Sequence, residues 1–180
     1  MKKFPLPKAF QLLEPGPVVL VTTVFGGKKN IMTISWHMVM DFTPRFALVT
    51  GPWNYSFKAL SENKECVIAV PTVDLSTTVV KIGACSGADT DKFKTFALTP
   101  LKAKSVKAPL IAECLANIEC RVVDYLGKHG IFVLDAVYAW IDAGRKERRT
   151  FHANGDGTFT VDGKTIDHRG LMLDKLAPGT

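Results

Sequence analysis

Thr33 and Ser35 alternate along NIMTISWH (30–37), a stretch that Asn30 opens and Trp36 nearly closes. In an extended strand successive side chains point to opposite faces, so the two hydroxyls would share one face. Small polar side chains on one face make a poor core. They either bond to neighbouring backbone or meet a ligand. Ser56 follows Asn54, a residue type that caps helices. A helix start offers free N–H groups and the positive end of a dipole, which together suit a phosphate; the plainer role for Ser56 is in the cap. Lys92, in SGADTDKF, stands at the start of a short helical stretch, where its charge opposes the helix dipole. Its head is either solvated or placed to meet an anion. His129, in YLGKHGIF, falls in a turn between strands, where an exposed imidazole is the ordinary case. Trp36, near Met38 and Met40, has the composition of a core cluster.

The chain shows no nucleophile of its own. GxSxG, HExxH, a P-loop and a strand-linked GxGxxG are all absent from the sequence. Cys66, Cys85, Cys114 and Cys120 form no CxxC pair, and no histidine stands at ligand spacing from them, which argues against a zinc site. In a reducing compartment they read as buried thiols. Redox chemistry here would have to come from a bound cofactor.

Strands must position these groups. VVLVTTVF (18–25), bounded by Pro-Gly-Pro and Gly-Gly, would form a hairpin with 30–37. Further strands are expected at 45–51, 65–71, 117–126 and 130–142, and a hairpin over 158–167 centred on Asp162-Gly163. Short helices are expected from a cap at Asn54 to about residue 62, over the face Leu75, Val79 and Ile82, and after Asp89 or Asp91; 108–116 is open between helix and extended chain. Strands that do not alternate with long helices argue for a closed or nearly closed antiparallel barrel with peripheral helices.

With 180 residues, 47% of them apolar, the chain reads as one domain, 1–180, with its core at 15–142 and a C-terminal extension at 143–180. Its N-terminus lacks a signal-peptide apolar region, and no run is long enough to span a bilayer, so a cytoplasmic protein without membrane contact is expected. The net charge of +6 owes much to GRKERR (144–149), which is either a solvated loop or a patch for an anionic partner. Basic residues are not interleaved with aromatics, so nucleic acid is not expected.

Taken in order, several segments resemble the flavin reductase-like, FMN-binding split-barrel family, and most closely its flavoredoxin-type branch. The most specific pieces are N-x-M-T-x-S-W (30–36), S-G-x-D-x-D-K-F (86–93) and A-P-L-I-x-E-C-L-A-x-x-E-C (108–120), within a colinear match over about residues 15 to 142. The resemblance implies a mainly β, Greek-key antiparallel split barrel with FMN near a homodimer interface. It implies electron transfer from NADH or NADPH through the flavin to free flavin, a metal complex or a protein acceptor, with no catalytic side chain. The alternative is a non-enzymatic FMN carrier between redox proteins, for which GRKERR would be a docking patch. The implied cofactor-binding set is Asn30, Met32, Thr33, Ser35, Trp36, Ser56, Lys92, His129 and Phe159. Within it Ser56 would hold the phosphate, Lys92 would face the flavin N1–C2=O edge or the phosphate, and Phe159 would close over the ring. Arg45, after Thr43-Pro44, departs from the Pro-Pro of many relatives.

Overall fold

VVLV is apolar without alternation because the strand it forms is covered on both faces. A computed structural model of the chain describes residues 1–172 and 175–177; the remaining positions of the expected 143–180 extension lie outside the described residues. Its strands are β1 Lys2–Lys3, β2 Val19–Phe25, β3 Lys28–Ile34, β4 His37–Asp41, β5 Arg45–Val49, β6 Glu65–Val70, β7 Pro100–Leu101, β8 Leu110–Ile111, β9 Ala116–Leu126, β10 Ile131–Ile141, β11 Phe151–Ala153 and β12 Phe159–Val161. Its α-helices are α1 Phe57–Asn63, α2 Ser76–Gly83 and α3 Lys92–Thr95.

The main sheet runs β3-β2-β6-β9-β10-β5-β4, with β1 added on β10. Every pairing is antiparallel. The two ends of this path, β3 and β4, are consecutive in the chain and joined by Ser35 and Trp36. The fold is mainly β, and β3 and β4 are not paired with each other. Val19 and Val21 face an inner core with Phe46, Leu48, Ile68, Ile118 and Phe132, plugged by Ala9 and Phe10 of the 3-10 helix Leu6–Leu12. Leu20 and Ile31 belong to a second cluster with Val79 and Ile82 of α2 and Phe93 of α3. Burial on both sides explains the unbroken apolar run, and it holds α2 and α3 against β2 and β3. Among the described residues no helix is long and apolar enough to cross a membrane.

Local detail departs from the sequence reading at three places and settles a fourth that was open. The stretch 30–37 is not one strand: β3 ends at Ile34, and the chain turns through Ser35 and Trp36, whose carbonyl accepts from Val49 N–H at 2.9 Å. The expected Asp162-Gly163 hairpin does not form. β12 pairs with β11 through a turn in which Gly155 and Gly157 have φ of 89° and 90°. The Asp162 carboxylate is engaged elsewhere, accepting from Thr150 N–H, Thr150 Oγ1 and His152 Nε2 at 2.7 Å each. α1 begins at Phe57, and Asn54 instead closes the turn before it, its Oδ1 accepting from Ser56 N–H at 3.1 Å. The open stretch 108–116 is extended at Leu110–Ile111.

The lead-in to β2 is fastened by side chains. His37 Nε2 meets Pro17 O at 2.6 Å, and His152 Nδ1 meets Gly16 O at 3.1 Å. Val18 N–H donates to Phe151 O at 2.8 Å.

At the β9–β10 turn Gly130 has φ 65°, and an added Cβ would lie 2.8 Å from the backbone oxygen of Thr50. Thr50 N–H also donates to Gly130 O at 3.0 Å, so neither backbone can give way cheaply. Gly130→Ala should cost about 1–3 kcal/mol and lower the urea midpoint with an unchanged m-value. Gly127→Ala, whose Cβ would only touch the Tyr125 ring at 3.4 Å, is the control.

Candidate functional site

Asn30 is the hinge of the site. It is 5% exposed, its Nδ2 donates to Ser56 Oγ at 2.8 Å, and its Oδ1 has no hydrogen-bond partner among the described residues. A buried acceptor left alone costs about 1–3 kcal/mol, so such a group in a folded chain points to a ligand or water. Gly87 is pressed against the same oxygen: a Cβ there would lie 2.1 Å from it. The α2–α3 loop can therefore settle onto β3 only because residue 87 has no side chain.

Three cavities meet around this contact. One of ≈ 290 Å³ is walled by Asn30, Met32 and Thr33 of β3, the turn 53–55 before α1, the segment 83–87 at the end of α2, and Lys92. A second, of ≈ 440 Å³, lies between the β2–β3 hairpin and α1 and shares Asn30, Asn54 and Tyr55 with the first. A third, of ≈ 600 Å³, opens beyond Gly87.

Lys92 is 5% exposed and carries its charge into the first cavity's wall. Its Nζ donates to Ile82 O at 2.9 Å. That carbonyl belongs to the last turn of α2, where the helix dipole favours a cation. The charge that looked misplaced at the start of α3 thus serves the end of α2. Burial holds the Lys92 pKa below its ordinary value, and the neighbouring Cys85 acts the other way.

Thr33 lines the cavity while its hydroxyl donates to Val79 O of α2 at 2.7 Å, rather than to its own strand neighbours. Ser56 is 1% exposed and lies behind Asn30. Its Oγ accepts from Asn30 Nδ2 and, at 3.4 Å, from Thr23 Oγ1. The structure therefore brings together Asn30, Met32, Thr33 and Lys92, with Ser56 as their support. It does not bring the other four to this cavity within the chain. Ser35 is exposed at the β3–β4 corner. Trp36 is 65% exposed, not core; it borders an apolar hollow of ≈ 310 Å³ with Met38, Met40, Leu126 and Val133. His129 is exposed in the β9–β10 turn. Phe159 on β12 packs edge-on against Phe151 at 5.6 Å.

Sequence reasoning missed Trp53, Asn54, Tyr55, Cys85 and Gly87 as wall residues. Their signal was adjacency, since WNY precedes Ser56 and CSG opens the motif that contains Lys92. Arg45 is ion-paired across strands, Nε to Asp135 Oδ1 at 2.6 Å and Nη2 to Oδ2 at 3.1 Å.

The family model described as "Flavin reductase like domain" matches residues 13–159, a span that takes in every wall of the cavities. The chain belongs to the flavin reductase-like family. The chain is similar to an uncharacterized protein of Archaeoglobus fulgidus, 40% identical over 109 residues, 59% of this chain and 62% of that one. The chain thus spans less than two thirds of that relative's length. It is 30% identical over 175 residues to the uncharacterized protein YddH of Escherichia coli, covering 88% of this chain and 93% of that one. Among solved structures, an FMN-binding domain of a flavin reductases-like enzyme from Shewanella baltica matches with TM-score 0.84 at 24% identity, covering 92% of this chain and 95% of that one. That likeness shows the split-barrel fold.

Proposed function

We propose that the chain binds FMN across the ≈ 290 and ≈ 440 Å³ cavities and serves as an oxidoreductase. Electrons would come from NADH or NADPH and pass to free flavin, a metal complex or a protein acceptor. The observation that carries this reading is the unpartnered Oδ1 of Asn30 at the seam of the two cavities. A flavin ring edge presents an N–H donor that such an acceptor can take. The family and the FMN-binding Shewanella relative support the choice of flavin.

The residues present fit that cofactor. Lys92 offers a desolvated positive charge for a phosphate or for the negative charge of reduced flavin. Asn30 accepts from the ring edge, and Ser56 holds its amide in place. Thr33 and Met32 form the floor. When bound, FMN supplies hydride acceptance and electron release, chemistry that no side chain here could provide. The protein's part is to orient the ring, exclude water behind it and set the charge around it.

The test is a visible spectrum of the purified protein after adding FMN and desalting. Bands near about 370 and 450 nm that stay with the protein, and that bleach with NADH or NADPH, support the reading. Loss of all flavin at FMN concentrations well above micromolar would end it. The carrier alternative finds less support. Arg145 is paired with Asp74 at 2.7 Å and Arg149 with Glu147 at 2.6 Å. GRKERR thus presents Lys146 and Arg148 as its cations without a described partner, a thin patch for docking.

A homodimer belongs to the same proposal. Trp36, Met38, Met40 and Leu126 are 65%, 57%, 44% and 41% exposed on one face of β4, β5 and the β9–β10 ribbon. Large contiguous apolar surface of this kind marks an interaction site, and a second copy of the chain would cover it. Met38→Glu should convert the dimer to monomer, as read by light scattering at micromolar concentration. A parent protein that is itself monomeric would defeat the assignment.

A further inference from the structure

We propose that the ≈ 600 Å³ cavity beyond Gly87 receives the adenosine 5′-phosphate half of a dinucleotide whose other half lies in the flavin cavities. The dinucleotide span rests on the FMN reading above; the adenosine phosphate site does not.

The cavity lies between the β2–β3 turn and the loop that leads from α2 into α3. It continues the other two rather than standing apart from them. Gly87 walls both this cavity and the ≈ 290 Å³ one, and Lys28 walls both this cavity and the ≈ 440 Å³ one. FMN ends in a single phosphate, and the two smaller cavities are assigned to it. A further ≈ 600 Å³ falls in the middle of the range for ligand sites, roughly 300 to 1,000 Å³, and nothing in FMN is left to fill it.

The lining has three kinds of surface. Lys28 and Lys29 from the turn and Lys94 from α3 bring three ammonium groups to it, and none is ion-paired among the described residues. Unpaired cations on two elements either side of a cavity can close on a phosphate from both sides. Two carboxylates share the wall. Asp91 is committed to α3, its Oδ1 accepting from Lys94 N–H at 3.2 Å. Asp89 has no such duty among the described residues, and a carboxylate is the group that takes ribose hydroxyls in nucleotide sites. Phe93, Leu98 and Pro100 supply apolar surface for a purine. Bare phosphate would use the lysines alone and an apolar ligand the hydrophobic wall alone; a nucleoside phosphate uses all three.

Two kinds of dinucleotide carry that half. FAD would set its flavin where FMN lies and its adenosine end here. NADH or NADPH would lie against the flavin with its adenosine end here.

The probe is 5′-AMP, titrated by calorimetry into the purified chain with and without saturating FMN. One site should appear in both, with affinities that agree within about twofold, because the two ligands occupy different cavities. The double variant Lys29→Glu/Lys94→Glu, on two exposed side chains, should weaken AMP at least about tenfold and leave FMN affinity unchanged. If FAD is the source, the parent binds FAD at least about tenfold more tightly than FMN, and the variant erases the difference. If the nicotinamide nucleotide is the source, FAD and FMN bind alike, and the variant raises the KM for NADPH or NADH at least about tenfold with kcat unchanged. No AMP binding at millimolar concentration, loss of the AMP site on saturation with FMN, displacement of AMP by equal inorganic phosphate, or a variant that alters neither dinucleotide would overturn the proposal. Lysine-dependent AMP binding by a chain that takes no flavin sinks the FMN reading and the dinucleotide span while supporting the site.

Discussion

Lys92→Met should weaken FMN binding by about 10- to 100-fold while leaving the flavin-free protein as stable as the parent, or more so. The two halves of this expectation have different physical origins. A hydrogen bond to a charged group contributes about 1.5–3 kcal/mol, and the variant loses that toward the ligand's anionic part. Without ligand, the ammonium of Lys92 is a buried charge whose described partner is one carbonyl, Ile82 O. Burying a charge costs much of its hydration, and Met fills similar space without that cost.

The pH dependence follows with a definite sign. Burial lowers the folded-state pKa of Lys92 from its ordinary 10.5. The unfolded chain therefore holds this proton more firmly, and stability rises with pH between the lowered value and 10.5. The Met variant lacks that component, so the two melting curves should converge toward the alkaline end. Fluorescence titration with FMN and thermal melts across that window measure both halves. Equal FMN affinity in the variant would remove Lys92 from the site.

Glu119→Ala should be among the most damaging single changes to stability. Glu119 is 0% exposed on β9 and carries no ion pair among the described residues. It serves as an acceptor instead. Oε1 takes Lys104 N–H at 2.9 Å and Trp140 Nε1–H at 2.7 Å, and Oε2 takes Ser105 N–H at 2.5 Å. The segment after β7 is thereby pinned to the outer face of β9 and β10, beside the cluster of Val67, Ala103, Ala108 and Leu110. Alanine strands three donors and leaves a cavity, a loss of about 3 kcal/mol or more. For a chain of this size that is a fall of roughly 6–12 °C in Tm. Glu119→Gln, which keeps one accepting oxygen, should fall between the two. A change in Tm under about 2 °C on Glu119→Ala would mean that the apolar cluster alone holds the segment.

What was legible in the sequence was what local spacing controls. The strands of VVLVTTVF, ECVIAV and NIECRVVDYL and the buried face Val79 and Ile82 follow from period and composition, and the structure has them. What was illegible depends on partners far away in the chain. Asp162-Gly163 has the local chemistry of a hairpin, but Thr150 and His152 claim the carboxylate. Lys92 opposes the dipole of the helix it begins and favours that of α2. Ser56 read as a cap residue or a phosphate donor, yet Asn30, 26 positions earlier, turns its hydroxyl inward. Trp36 read as core by its neighbours, although the strand ends before it. Gly87 read only as part of a tight loop, because its need for hydrogen in place of a side chain comes from Asn30 and not from its own backbone.

The strand order also has a consequence for how the chain comes into being. The hairpins β2–β3 and β4–β5 are neighbours in sequence but stand at opposite ends of the sheet path. Hydrogen-bonded pairing links them through β6, β9 and β10, and β10 ends at Ile141. The carbonyl of Gly16 and the N–H of Val18 wait longer still, for His152 and Phe151. A chain emerging from the ribosome therefore carries two uncovered half-cores until β10 has followed them. Non-local pairing of this kind is slow and leaves apolar edges open to other chains. The barrel cannot assemble strand by strand as it is made; its halves can be joined only after β10, whose end lies more than ninety residues beyond β5, has been made.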